Sequence, residues 1–315
     1  MMIKKSLGIM LTNRCNANCA ICGLSCSPKL NSVIDESLMI EAINQALDIG
    51  TIKQIGFTGG EAFLYTDLLI KGSNHAKKLG FKTSVATNGF WGSWSDEKID
   101  AVLSAAKLDH ISFSFDAFHN EYISHDAISN AVAASKRHNI MFNVSIGEMK
   151  GKYSADKFFD TMGDFKYFLE CSIYPFMRVG RAESLPKEEF FIWSENKKIC
   201  SAGVHMLVRY DGEVLPCCTA AVPDCMTLGN VKNKTLAELM RTGDCIPTYN
   251  VIHNAECFAE LMEIAHDKKI ISDEDKNLSS CEICRLMFKD QKNYKILSAD
   301  IERLHDKLIL DNLFN

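Results

Sequence analysis

Over the first 180 or so residues, short apolar runs alternate with amphipathic stretches. LGIMLT (Leu7–Thr12), IKQIGFTG (Ile52–Gly59), FKTSVATNG (Phe81–Gly89), ISFSFD (Ile111–Asp116), IMFNVSI (Ile140–Ile146) and CSIYPFMRV (Cys171–Val179) read as strands. Between them, Asp35–Leu47, Leu68–Leu79, Lys98–Ala106, Ile128–Lys136 and Ala155–Phe165 carry apolar residues at helical spacing. Strand–helix repeats without hairpin signals predict parallel βα units. Right-handed crossovers curl such units into a barrel or a doubly wound sheet, with ligands at the carboxyl ends of the strands. The pattern shifts near Gly180–Lys187. Beyond it, VHMLVRYDGEVLPC (Val204–Cys217) sets a DG pair between two β-rich runs, a hairpin signal. Leu236–Met240, Ala255–Ile264 and Tyr294–Leu310 read as helices. The expectation is an α/β chain of two domains, 1–185 and 186–315.

With 47% hydrophobic and 24% charged residues, the chain has a globular composition that excludes a disordered or fibrous protein. Its net charge of −5 gives no support to a nucleic-acid or anionic-membrane partner. No apolar run reaches the ~18 residues of a membrane helix, and MMIKKSLGIMLTN lacks the apolar length and cleavage site of a signal peptide. The expected location is cytoplasmic. There, 13 cysteines point to metal or to chemistry rather than to disulfides.

Cys15, Cys19 and Cys22 lie in TNRCNANCAIC, in the loop after the first strand. Structural zinc and cubane 4Fe–4S clusters both normally take four protein ligands. Three thiolates on a cubane leave one iron open for substrate or cofactor; a zinc site borrowing a distant ligand is the alternative. Cys26 breaks the spacing and is expected as a free, half-buried thiol. Near the C-terminus, Cys200 precedes the hairpin, Cys217 ends it, and Cys281 and Cys284 form a CEIC knuckle. Two plus two makes a closed four-thiolate site for a 4Fe–4S cluster or zinc. Consecutive residues of an extended strand point to opposite faces, so of Cys217 and Cys218 one is a ligand and the other keeps its thiol. Cys225, Cys245 and Cys257 are expected as buried or surface thiols, and Cys171 stands alone.

The CxxxCxxC spacing resembles the signature of the radical S-adenosylmethionine (SAM) superfamily, and the resemblance runs in order from Leu7 to Ser184. GFTGGEAFL (Gly56–Leu64) resembles its GGE motif. This implies that Gly59 and Gly60 admit the methionine moiety of SAM and that Glu61 accepts a hydrogen bond from its amino group. TNG, with Asn88, ends the third strand. SFSFD places Ser112, Ser114 and Asp116 where relatives meet the ribose; strand-end caps are the alternative. NVSIGEM resembles the fifth-strand region along adenine, and YPFMRVGRAES a sixth-strand end common in relatives with auxiliary clusters. The C-terminal cysteines, with MTLGNVKNKTLAEL (Met226–Leu239), resemble the twitch domain, the short form of the SPASM domain. The implied fold is a partial (β/α)6 TIM-like barrel followed by a small auxiliary-cluster domain with a hairpin and helices. The implied cofactors are SAM, a SAM-binding 4Fe–4S cluster on Cys15, Cys19 and Cys22, and one auxiliary 4Fe–4S cluster on Cys200, Cys217, Cys281 and Cys284. Gly59, Gly60, Glu61, Asn88, Ser114 and Asp116 bind cofactor in this scheme.

NGFW (Asn88–Trp91), SxDxFH (Ser114–His119) and the hairpin end PCC (Pro216–Cys218) are similar to strings of the epipeptide epimerases, which convert L to D residues in ribosomal peptides. That implies a precursor-peptide substrate, an electron donor such as flavodoxin or ferredoxin, Cys218 as hydrogen donor, and Asp116 and His119 against the substrate. Competing readings are thioether or carbon–carbon crosslinking of a peptide, epimerisation or dehydrogenation of a sugar or aminocyclitol, and a zinc-stabilised binding protein. With the first strand starting near Leu7, no N-terminal leader-binding domain is expected.

Overall fold

The computed structural model of the chain describes residues 4–168, 171–191, 205–217, 222–243 and 246–314. The expectations for Cys200, Cys218 and Cys245 lie outside the described residues. Six parallel strands follow one another across the sheet in chain order: β1 (Ser6–Met10), β2 (Gln54–Thr58), β3 (Lys82–Thr87), β4 (His110–Ser114), β5 (Met141–Glu148) and β6 (Cys171–Pro175). Helices α1 (Glu36–Ile49), α2 (Thr66–Lys78), α3 (Asp96–Ala106), α4 (His125–Arg137) and α5 (Ala155–Met162) connect them. Three of these helices start at a side chain that accepts from the first turn: Asp35, Ser95 and Ser124. The sheet is not closed, so the six βα units make a partial barrel.

The strands have two unlike faces. Leu7, Ile9, Ile55, Phe57, Val85, Ile111, Phe113 and Val144 are buried in the core. On the other face, register aligns Gly8 with Gly56 and Ser84, and Ser114 with Ser145, all half-buried. This inner face carries small and polar side chains, with Leu207 packed over Gly8.

The hairpin is present and joins the same sheet. Its strands, β7 (His205–Val208) and β8 (Glu213–Leu215), pair antiparallel, and the DG turn holds Gly212 at φ 93°. β7 also pairs parallel to β1, and a short β9 (Gly229–Asn230) follows β8. The result is one nine-stranded sheet in the order β6-β5-β4-β3-β2-β1-β7-β8-β9. Nothing in the local pattern announces the β1–β7 pairing, because it joins residues about 200 positions apart.

The C-terminal helices are α6 (Leu236–Thr242), α7 (Ile246–His253), α8 (Ala255–Asp267), α9 (Ser280–Phe288) and α10 (Gln291–Phe314). CEIC is not a knuckle. Cys281 and Cys284 stand on α9, whose start is fixed by a reciprocal Ser279–Glu282 capping box. Residues three apart share a helix face, so the two thiols stay neighbours. Among the described residues, no helix is long and apolar enough to cross a membrane.

Candidate cluster and cofactor site

The chain leaves β1 into an irregular loop that carries Cys15, Cys19, Cys22 and Cys26. Cys15, Cys19 and Cys26 are buried and Cys22 is half-buried. Cys26 is 2% exposed, more buried than expected. The thiols lie close enough to influence one another. Burial pushes Cys15 up to about 11, and nearby Glu61 and Cys22 add to the rise. Burial, then Cys15 and Asp116, pushes Cys19 up to about 12. A hydrogen bond from Cys26 lowers Cys22 to about 6 and raises Cys26 itself. Among the described residues no group of three His, Cys, Asp or Glu is arranged to hold a single metal ion. A cubane is gripped at separate irons, so its thiolates border a bowl rather than converge on one point. Soft thiolates on one loop fit such a cluster.

The GGE segment clamps this loop. Gly60 N donates to Thr12 O at 2.7 Å and Glu61 N to Arg14 O at 2.9 Å. A Cβ on Gly60 would stand 2.1 Å from Arg14 O, and one on Gly59 2.7 Å from Thr12 O. The absent side chains of these glycines make room for the cysteine loop. Glu61 is buried, and burial raises its carboxyl to about 7. Oε1 accepts from Phe63 N and Thr87 Oγ1, and Oε2 from Asn88 N. A carboxylate offers about four acceptor positions, so one remains for a further donor. The buried Asn88 amide reaches Asn16 Oδ1 at 2.9 Å and the Cys15 sulfur at 3.8 Å. Trp91 of NGFW is a core residue, stacked on Phe63.

Asp116 is fully buried just beyond β4, and its Oδ1 accepts from Phe118 N and His119 N. This is the strand-end cap that the period-two reading left open. Its Oδ2 lies 2.9 Å from His119 Nδ1. The alignment falls short of a hydrogen bond, and both atoms have none among the described residues. For His119, burial would favour the neutral ring, but the Asp116 carboxylate outweighs it and raises the group. Cys22 and Glu61 push the same way, which places the ring beside the cysteine loop. Ser114 lies half-buried at the end of β4, next to Ser145.

Sequence reasoning assigned no role to Gly180 and Arg181. Arg181 donates from Nε to Cys19 O at 3.0 Å, from Nη2 to Cys26 O at 2.7 Å, and from its backbone N to Cys22 O at 3.1 Å. Their signal was the YPFMRVGRAES string, which marks a strand end but not the partners of Arg181, more than 150 positions away.

The auxiliary cysteines sit elsewhere. Ser6 pairs with His205 and Leu207 with Leu215, so Cys217 comes back to the amino end of β1. The Cys15–Cys22 loop leaves the carboxyl end, roughly 15–20 Å away at 3.3 Å per strand residue. The fully buried Lys4 donates to Pro216 O and ties this corner to β1. β8 ends at Leu215, so Cys217 lies outside the strand. α9, with the half-buried Cys281 and Cys284, is held to the end of the barrel. Glu282 accepts from Arg178 N, and Glu183 pairs with Arg285 and Lys289. Cys225 donates to Phe288 O, Cys257 is buried, and Cys171 is exposed on β6.

Residues 9–141 match the radical SAM superfamily, and residues 200–285 match the SPASM iron–sulfur cluster-binding domain. The former binds a 4Fe–4S cluster and SAM, the latter auxiliary iron–sulfur clusters. The chain is 26% identical over 229 residues to the putative peptide biosynthesis protein YydG of Bacillus subtilis (strain 168), covering 70% of this chain and 71% of that protein. Native anSMEcpe with bound AdoMet has a similar fold, with a TM-score of 0.63 at 15% identity over 96% of this chain and 99% of that one. The same protein with AdoMet and the Cp18Cys peptide gives 0.57 at 16% identity over 97% and 99%.

Proposed function

This chain is a radical SAM enzyme with a C-terminal SPASM domain, and on that premise we propose that it epimerises L to D residues in a ribosomally made peptide. The observation that carries this reading is the separation of the two cysteine regions along β1, with the Cys15–Cys22 loop beyond one end and Cys217 at the other. Inversion at an α-carbon needs hydrogen to leave from one side and return from the opposite side. Reactive groups beyond opposite ends of β1 meet that need. The kinship with YydG, whose name assigns it to peptide biosynthesis, supports a peptide as substrate.

Cys15, Cys19 and Cys22, with Glu61 and Asn88 beside them, would hold a 4Fe–4S cluster and SAM, which together would supply the hydrogen-abstracting chemistry. Ser114 and Asp116 border the cofactor, while His119, whose pKa the Asp116 carboxylate raises against the effect of burial, offers an N–H to a peptide carbonyl. Cys218 returns the hydrogen atom: its S–H bond breaks, a Cα–H bond forms, and sulfur keeps one unpaired electron. One electron and one proton, from a donor such as flavodoxin or ferredoxin, restore the thiol. Cys200, Cys217, Cys281 and Cys284 would hold an auxiliary cluster.

Turnover in heavy water tests the reading. It should place one deuterium at a D-configured α-carbon while SAM is consumed. A product lighter by two hydrogens points to crosslinking instead. Cys218→Ala should still cleave SAM yet yield no D residue, and normal epimerisation by that variant removes Cys218 from the mechanism.

A further inference from the structure

We propose that Arg181 is a positioning residue for the SAM-binding cluster, fixing the ligand loop and supplying a permanent cation beside it. The inference rests on the reading of Cys15, Cys19 and Cys22 as ligands. Turns within the loop give two of its carbonyls one donor each, Cys22 N to Cys19 O and Ser25 N to Cys22 O, and a carbonyl with two lone pairs can take a second. One residue supplies three donors: the Arg181 side chain reaches Cys19 O and Cys26 O, and its backbone N reaches Cys22 O. A planar fork can bind two carbonyls in fixed directions, which an ammonium cannot.

The approach is close because Gly180 precedes it. Gly180 has φ 62°, and a Cβ there would stand 2.1 Å from Gly23 O. The far side of the segment is anchored too. Glu183 is bound by Arg285 and Lys289, and Arg178 N by Glu282, all on or next to α9. Arg181 is thus held from behind while it holds the loop in front. Its guanidinium, bound to the Cys19 and Cys26 carbonyls, sets a positive charge against the cysteine loop. A cation in a poorly solvated site stabilises the more negative, reduced state of any cluster held there.

The test is potentiometric titration of the SAM-responsive EPR signal in reconstituted holoenzyme, for Arg181→Gln and Arg181→Lys. Arg181→Gln should bind iron yet shift the signal to lower potential. Arg181→Lys should hold the parent potential while altering the spectral change on SAM addition, because the charge remains and the fork is lost. A parent potential in Arg181→Gln overturns the proposal. If Arg181→Gln does not fold, Arg181→Lys decides: an altered SAM response at unchanged apo-protein melting supports the role, and an unaltered one sinks it. Cys19→Ala in the same assay separates the two claims. A surviving SAM-responsive signal in Cys19→Ala defeats the ligand reading. Unchanged Arg181 variants beside a silent Cys19→Ala protein defeat only the role of Arg181.

Discussion

The molecule presents cysteines on two kinds of backbone. Cys281 and Cys284 stand on a helix whose start is fixed within four residues by Ser279 and Glu282. Cys15, Cys19 and Cys22 stand on a loop shaped from outside, by Gly60 and Glu61 on one side and Arg181 on the other. The helical pair carries its geometry locally, so distant substitutions should spare it. The loop borrows its geometry from chain segments about 45 and 160 positions away, so its chemistry is exposed to changes far from any cysteine. A site that must leave one metal corner open cannot close a full set of ligands around the metal, and outside bracing takes their place.

The largest expected effect is total. Alanine at Cys15, Cys19 or Cys22 should abolish SAM cleavage, read as 5′-deoxyadenosine release. Alanine at Cys281 or Cys284 should lower auxiliary iron and leave the SAM-responsive EPR signal in place. Equal loss of that signal in both sets would break the contrast.

Next is Gly180→Ala, which adds left-handed strain to an overlap with fixed backbone. It should cost about 2–4 kcal/mol in apo-protein melting and deplete the SAM-responsive cluster. Normal iron content and stability would show that the loop needs no brace from behind.

His253 of α7 sharpens the comparison through pH. Burial, with Lys4 nearby, lowers it to about 4. The unfolded chain protonates near 6.5 and the folded one resists, so stability falls as pH drops from about 6.5 to about 4. The loss is up to about 3 kcal/mol. Apo-protein melts across that range should flatten in His253→Gln; an unchanged slope assigns acid lability elsewhere. Smallest is Ser279→Ala. Losing the cap should cost about 1 kcal/mol and leave the SAM response in place, since Glu282 still accepts from Arg178 N, and a lost response would mean that the cap itself sets the brace.

Much of this was legible along the chain. Apolar periods gave the strands and helices from β1 to α5 within a few residues, because each buries one face on a shared core. Cys15, Cys19, Cys22, Glu61 and Asn88 gather at one end of the sheet as their motifs implied. Gly60 was legible as important, but its reason was not: the atom it makes room for is Arg14 O. CEIC gave its spacing but not its backbone, since a knuckle and a helix both set residues three apart side by side. Arg181 stayed silent because a single arginine has no periodicity.

The sequence by itself determined the order of βα units and the three-thiol spacing, since period and spacing are properties of neighbours in the chain, and its resemblance to the radical SAM superfamily carried the class of cofactor. Tertiary structure alone decided that β7 lies against β1, that Asp116 and His119 form a buried pair beside the cysteines, and that Arg181 grips the loop. Those contacts satisfy buried polar groups across long separations, and which donor reaches which acceptor is settled only once the sheet has assembled.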